Sequence, residues 1–138
     1  MSIFYKDQRL SHMSKGDAYL WSKFNDKYPD FFTNVKYNIR VGNAVSLPKD
    51  YPEWLKVSAY ALSRKRIDVV ANRFKKIYII EVRVNAKPDV LGTLINYKQL
   101  YEVFYKPIIP VIPFLISNFI DTDLLITLQT HRIPHFVV

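Results

Sequence analysis

Two acidic residues stand inside segments that are otherwise suited to burial in a β-sheet. Asp68 is the charged residue of the run Ile67–Ala71, and Glu81 lies among the branched residues of Ile77–Val84. Polar residues 72–76 join the two runs, so we predict a hairpin whose far strand ends bring the two acids together. Two carboxylates at adjacent strand ends either repel each other or bind a cation. A hard divalent ion such as Mg²⁺ prefers oxygen ligands.

The same residues also permit a purely structural arrangement. Strand alternation puts Glu81 and Arg83 on one face of the sheet, together with Ile77 and Ile79. Asp68 could then pair with Arg83, and Glu81 with another nearby base, as a buried ionic cluster. The residue pattern leaves the metal site and the ionic cluster as alternatives.

Short motifs around these acids resemble the core of the PD-(D/E)XK nuclease superfamily, most closely its small phage-encoded members. The motifs are Arg66-Ile67-Asp68-Val69-Val70, Tyr78-Ile79-Ile80-Glu81-Val82-Arg83, and Leu91-Gly92-Thr93 opening a helix that contains Tyr97. Asp17 and Trp21 in a first helix and the strand Tyr37–Gly42 fit as well, so the resemblance covers about residues 12–138. It implies a restriction-endonuclease-like core.

The resemblance also implies roles for individual residues. In the superfamily the Asp and the Glu bind the metal, which makes Asp68 and Glu81 the ligands of Mg²⁺ or Mn²⁺. The backbone carbonyl of Val82 is implied as a further ligand, and Asp17 matches the acid of the first helix. A metal so placed would lower the pKa of the attacking water and neutralise charge on the phosphodiester.

Two positions depart from the superfamily pattern. Arg83 stands where the family has a Lys that positions or activates water, and a guanidinium stays protonated, so it cannot act as a general base. It can still hold a phosphate or stabilise developing charge. Thr93 stands where several branches have a Gln, four residues before Tyr97, and lacks the reach of the amide.

Positive charge is concentrated around the predicted hairpin. The 138 residues include 20 Lys and Arg against 12 Asp and Glu, a formal charge of +8. The densest segment sets six basic residues against Asp68 alone: Arg64, Lys65, Arg66, Arg73, Lys75 and Lys76. This balance indicates a polyanionic partner, DNA before others. Along the following segment, the residues expected to contact the same nucleic-acid strand are Lys87, Thr93, Tyr97 and Lys98. A solvated hairpin rim is the alternative.

Hydrophobic periodicity places these residues in an α/β fold. It predicts helix 14–28, strands Val35–Val41, Ile67–Ala71 and Ile77–Val84, helix 88–105, strand Val111–Ser117, helix 122–130 and strand Ile133–Val138. Residues 44–63 contain Pro48 and Pro52, and 53–62 fit a short helix or a strand. The order αβββαβαβ predicts a central mixed sheet flanked by helices.

Length and composition indicate one domain, 1–138, with residues 1–12 as an N-terminal arm. The absence of cysteine excludes a disulfide scaffold. The first residues lack the apolar stretch of a secretion signal, and the longest apolar run, 108–116, is too short to span a membrane. We therefore expect a soluble protein with no membrane partner, in the cytoplasm or a virion. The widely separated His12, His131 and His135 are interpreted as structural or surface residues.

Two functional hypotheses follow. The first is a Mg²⁺- or Mn²⁺-dependent nuclease that hydrolyses phosphodiester bonds of DNA with a degenerate catalytic set. The second is a catalytically silent copy of the fold, serving as a phage virion or head–tail assembly component or as a DNA-binding module, with virion proteins or further copies as partners. The stripe Tyr97, Tyr101 and Tyr105 is either a packed helix face or, at Tyr97, a substrate contact.

Overall fold

The computed structural model describes residues 8–42, 47–57 and 65–138. Its main elements occur in the predicted order: α1 (Lys15–Lys27), β1 (Thr33–Val41), β2 (Lys65–Arg73), β3 (Lys76–Arg83), α2 (Asp89–Tyr105), β4 (Val111–Ser117), α3 (Thr122–Thr130) and β5 (His135–Val137). A short 3₁₀ helix, Gln8–Leu10, precedes α1. Residues 53–57 are helical, and the rest of the undecided stretch, 58–63, lies outside the described residues.

The five strands form one sheet in the order β1-β2-β3-β4-β5. Strands β1, β2 and β3 are antiparallel neighbours, whereas β3, β4 and β5 run parallel. Parallel neighbours require a crossover, and α2 and α3 provide the two that are needed. The predicted mixed α/β sheet is confirmed.

Helix α1 covers one face of the sheet. The Ser14 hydroxyl caps it by accepting a hydrogen bond from the Asp17 backbone N at 3.0 Å. Gly16 permits close docking, because a Cβ there would lie 2.9 Å from a Val84 methyl carbon. Phe24 of α1 is fully buried. The rings packed around it are Trp21, Tyr28, Phe31, Phe32, Phe114 and Phe136.

Helices α2 and α3 cover the opposite face. Val90 and Leu94 of α2 pack with Leu124 and Leu128 of α3 over Leu115 of β4. The sheet therefore lies between helical layers, and its hydrophobic strands are buried on both sides. Among the described residues, no helix combines the length and the apolar character needed to cross a bilayer.

Strand β1 does not alternate as the sequence suggests. Val35 and Tyr37 pack on the α1 face, but Ile39 packs on the α2 face with Val41. The change occurs at Asn38, whose φ of +56° lies in the left-handed region and rotates the following side chains to the other face. The apolar residues at alternate positions of the predicted strand Val35–Val41 therefore do not share one face, as they would in a regular strand.

The β2–β3 hairpin is tighter than predicted. Pairing continues to Arg73 and Lys76, so the turn has two central residues rather than the five of the predicted segment 72–76. These residues, Phe74 and Lys75, have φ values of +47° and +59°, as a two-residue type I′ turn requires. Neither residue is the Asn or Gly that is typical of such a turn, so the sequence pattern does not predict the two-residue turn.

Candidate active site

Asp68 and Glu81 are neighbours in the sheet. Val69 of β2 pairs with Ile80 of β3, so the next step of the antiparallel register sets Asp68 across from Glu81. The two side chains are within hydrogen-bonding reach, since a hydrogen bond to Asp68 contributes to the pKa of Glu81. The structure thus brings together Asp68 and Glu81, as the hairpin prediction expects.

Glu81 is held in its protonated form. The residue is only 6% exposed, and burial is the main cause that raises its pKa from 4.5 to about 10. The hydrogen bond and the negative charge of Asp68 act in the same direction, while Arg83 opposes them. Without a cation, the protonated Glu81 carboxyl donates to the Asp68 carboxylate.

Arg83 stands beside Glu81, as strand alternation predicts. Its Nη2 lies 3.8 Å from Glu81 Oε2, and its side chain is 36% exposed. This contact differs from the predicted structural alternative, in which Arg83 would pair with Asp68. The backbone N of Val82 donates to Asp68 Oδ2 at 3.4 Å. Arg83 therefore has one flank against the buried acid and the other open to solvent, where a phosphate can bind.

His12 is the residue that sequence reasoning missed. Its Nε2 donates to the Asp68 backbone carbonyl oxygen at 3.0 Å and lies 4.0 Å from Asp68 Oδ1. The His12 side chain is 7% exposed, so the contact is buried and does not lie on the protein surface. A single histidine 56 residues away in the chain carries no spacing signal, and only the tertiary fold reveals it.

Asp17 is near the acids but is used differently. Its Oδ1 accepts a hydrogen bond from the Val84 backbone N at 3.0 Å, which ties the first turn of α1 to the end of β3. Its negative charge contributes to the raised pKa of Glu81. Asp17 therefore acts on the site through space and through the docking of α1.

The polar residues predicted along α2 are divided between the site and the surface. Burial, followed by the nearby Glu81 and Asp68, raises the pKa of the Tyr97 phenol above its ordinary value, which places Tyr97 beside the acids. Thr93 lies one helical turn before it. Lys98 donates to Glu102 at 2.8 Å, and Lys87 is exposed in the segment between β3 and α2.

The basic cluster of the sequence is not one patch in space. Lys65 and Arg66 open β2 near Asp68, whereas Lys75 and Lys76 are exposed at the hairpin tip. At about 3.3 Å per residue, the tip is roughly 20 Å from Asp68. Arg64 lies outside the described residues. The basic residues predicted as one cluster are therefore separated, because an extended strand carries apart charges that are close in sequence.

The donor set around Asp68 suits a hard cation. It consists of two carboxylates, and Asn38 stands opposite Asp68 in the register with an Oδ1 that is buried and unpartnered within the described part of the chain. No group of three or more His, Cys, Asp or Glu side chains in residues 8–42, 47–57 and 65–138 is placed to hold a metal ion. Mg²⁺ binds through one or two carboxylates and keeps several waters, so these residues fit it, whereas a structural Zn²⁺ site requires more side-chain ligands.

Comparison with solved structures identifies the fold. A repair endonuclease from Pyrococcus abyssi superposes with a TM-score of 0.53 at 12% identity, covering 99% of this chain and 49% of that chain. An EndoMS complex with double-stranded DNA gives a TM-score of 0.52 at 10% identity, covering 99% and 48%. The chain has a restriction-endonuclease-like fold. It spans about half the length of either structure.

Sequence comparison adds no relative to this structural likeness. No protein-family model matches the chain, and no curated protein shows significant sequence similarity to it.

Proposed function

We propose that this chain is a DNA-binding, metal-dependent nuclease that hydrolyses phosphodiester bonds with a degenerate catalytic set. The observation that carries the proposal is the convergence of Asp68 and Glu81 from neighbouring strands, with Glu81 kept protonated by burial and by its partner. Support from outside the chain comes from the two endonucleases that share its fold, one of them solved with double-stranded DNA.

Each residue of the site has a defined task in this proposal. Asp68 and Glu81 would hold Mg²⁺ or Mn²⁺ together with the Val82 carbonyl, and the cation would supply charge neutralisation and a lowered pKa for the attacking water. Glu81 would have to release its proton to hold the cation. Arg83 binds the phosphate through its exposed flank but accepts no proton, because the guanidinium stays charged.

The neighbouring residues keep this arrangement in place. His12 fixes the backbone of Asp68 through the 3.0 Å hydrogen bond to its carbonyl. Asp17 fixes the end of β3, and Tyr97 presents a phenol beside the acids from α2. Substituting the Lys of the superfamily by Arg83 removes a proton acceptor, so we expect slow hydrolysis.

Calorimetry and a cleavage assay test the proposal. Mn²⁺ should bind the wild type but not Asp68→Asn or Glu81→Gln, which keep the shape of the side chains but cannot form a carboxylate. Linear, branched and single-stranded DNA should be cleaved by the wild type with Mg²⁺ or Mn²⁺, but not by Asp68→Asn or Glu81→Gln. Glu102→Gln is the matched control, since Glu102 is an exposed carboxylate paired with Lys98 on α2.

The results also decide the alternative. If the wild type neither binds Mn²⁺ nor cleaves any of these substrates, the enzyme proposal is wrong. The chain would then be a silent copy of the fold, acting as a DNA-binding module or as a phage assembly component. DNA binding that persists in EDTA would favour the binding module.

A further inference from the structure

The tip of the β2–β3 hairpin carries a phenylalanine where tight turns seldom have one. Phe74 and Lys75 are consecutive residues with left-handed backbone conformations, which bulky side chains adopt only at a cost. Among the other non-glycine residues of the described chain with positive φ, four are Asn or Asp, which tolerate this region. The remaining two, Lys106 and Arg132, follow helix ends. A strained aromatic at a turn therefore points to a use for its side chain.

The Phe74 ring is both exposed and held in place. The residue is 80% exposed. On one side, the Arg73 guanidinium lies 4.5 Å from the centroid of the Phe74 ring. The same guanidinium lies 3.7 Å from the centroid of Phe31 and donates to the Phe31 carbonyl at 2.8 Å. Arg73 thus fixes Phe74 to the body of the protein and leaves a ring surface free for a ligand.

The surroundings of the ring are cationic. Arg73, Lys75 and Lys76 flank Phe74, and no acidic residue occurs between Asp68 and Glu81. An aromatic ring that stacks a base, bordered by cations that bind phosphate, is the combination found in single-stranded nucleic-acid binding sites. A membrane surface is a poorer match, because one ring buries too little apolar area to anchor a protein.

We propose that Phe74 is a stacking platform for an unpaired base of single-stranded nucleic acid, with Lys75 and Lys76 binding the adjacent phosphates. This site lies at the opposite end of the hairpin from Asp68 and Glu81, roughly 20 Å away along the strands. It deepens the proposed function by naming unpaired bases as part of the ligand. Binding at the tip itself requires neither the carboxylates nor a metal ion.

Binding measured in EDTA tests the tip alone. The probes are fluorescent 20-nucleotide thymidine DNA and uridine RNA, which distinguish the two sources of unpaired bases, and a blunt DNA duplex of the same length. Phe74→Leu keeps an apolar side chain but removes the ring, and it should weaken single-strand binding by roughly 5- to 150-fold, the equivalent of about 1–3 kcal/mol per stacked base. Phe74→Tyr should bind as the wild type does. Phe104→Leu, at an exposed Phe on α2, is the matched control.

A second variant tests the phosphate contacts. Lys75→Ala with Lys76→Ala should reduce the slope of log affinity against log salt by about 1.4 for single strands, because each phosphate contact contributes about 0.7. Circular dichroism melting confirms that every variant is folded. The duplex should be affected by the lysine changes but little by Phe74→Leu, since its bases are not available for stacking.

Three results would overturn the proposal. They are equal single-strand affinity of Phe74→Leu and wild type, equal losses for single strand and duplex, and Phe74-dependent binding to phosphatidylserine vesicles without binding to either homopolymer. The nuclease proposal stands or falls separately, on Mn²⁺ binding by Asp68 and Glu81. A protein that binds Mn²⁺ but is indifferent to Phe74→Leu refutes the stacking site only, and the reverse pattern refutes the metal site only.

Discussion

Glu81→Gln should make the metal-free protein more stable at neutral and alkaline pH. The pKa of Glu81 is raised by folding from 4.5 to about 10, so the unfolded chain releases a proton that the folded chain retains. The stability that the protonated carboxyl contributes is complete below pH 4.5 and is lost progressively as the pH rises towards 10. At about 1.4 kcal/mol per pH unit, this loss reaches at most roughly 4 kcal/mol between pH 5 and pH 8.

That change is large for a single domain, whose total stability is of order 5–15 kcal/mol. Glutamine has the shape of the protonated acid and no charge to bury, so the variant should lose this part of the pH dependence.

Urea unfolding in EDTA at pH 5, 6.5 and 8 measures the effect. The free energy of unfolding of the wild type should fall across this range more steeply than that of Glu81→Gln, and the two curves should differ most at pH 8. Glu102→Gln should follow the wild type. Adding Mg²⁺ at pH 8 should stabilise the wild type and leave Glu81→Gln unchanged. Parallel curves, or a Glu81→Gln protein that is the less stable one at pH 8, would refute the reasoning.

Four further results are expected. Mn²⁺ affinity of the wild type, measured by calorimetry from pH 6.5 to 8.5, should rise by up to about tenfold per pH unit because Glu81 must lose its proton to bind; a flat profile counts against this. Arg83→Lys should raise a weak nuclease rate by roughly tenfold or more, up to the factor of about 10²–10⁴ that acid–base groups supply; an unchanged or lower rate contradicts its assigned role. Gly16→Ala should destabilise the fold by about 1–3 kcal/mol, since its Cβ would lie 2.9 Å from Val84. Gly92→Ala, where an added Cβ meets nothing within 4 Å, should be neutral or stabilising by up to about 1 kcal/mol. Thermal melts of both glycine variants and the wild type measure these differences, and a Gly16→Ala protein as stable as the wild type would contradict the close packing on Val84.

Much of the fold is predictable from local patterns. The helices carry apolar residues at helical spacing, and the predicted start of the first helix at residue 14 agrees with the Ser14 cap of the structure. The strands are β-branched runs, so their order and the mixed sheet follow. The parts that were predicted wrongly depend on single backbone angles, at Asn38 in β1 and at Phe74 and Lys75 in the hairpin turn. Each of these residues takes a left-handed backbone conformation, which hydrophobic periodicity does not predict.

The candidate site was likewise predictable from the sequence only in part. Asp68, Glu81 and Arg83 could be placed together because the register of one hairpin links them over a short stretch of chain. His12 could not, because its contact with Asp68 spans 56 residues and depends on how the segment before α1 packs. The basic segment gave a misleading picture for a related reason: residues adjacent in sequence are carried apart by an extended strand.

The pairing of Asp68 with Glu81 indicates whether the two acids have a structural or a functional role. A structural ionic cluster would give each carboxylate its own base, and that was the alternative left open by the sequence. In the fold, Arg83 lies 3.8 Å from Glu81 and His12 Nε2 lies 4.0 Å from Asp68 Oδ1, both beyond hydrogen-bonding distance, and the hydrogen bond of the Glu81 carboxyl is with the second acid, Asp68. Such a pair lowers stability at neutral pH, and natural proteins retain arrangements of this kind mainly where a function requires them. Glu81→Gln should therefore increase the stability of the metal-free protein and abolish metal binding. If the two acids belonged to a structural ionic cluster, Glu81→Gln would lower the stability instead, and the wild type would bind no metal.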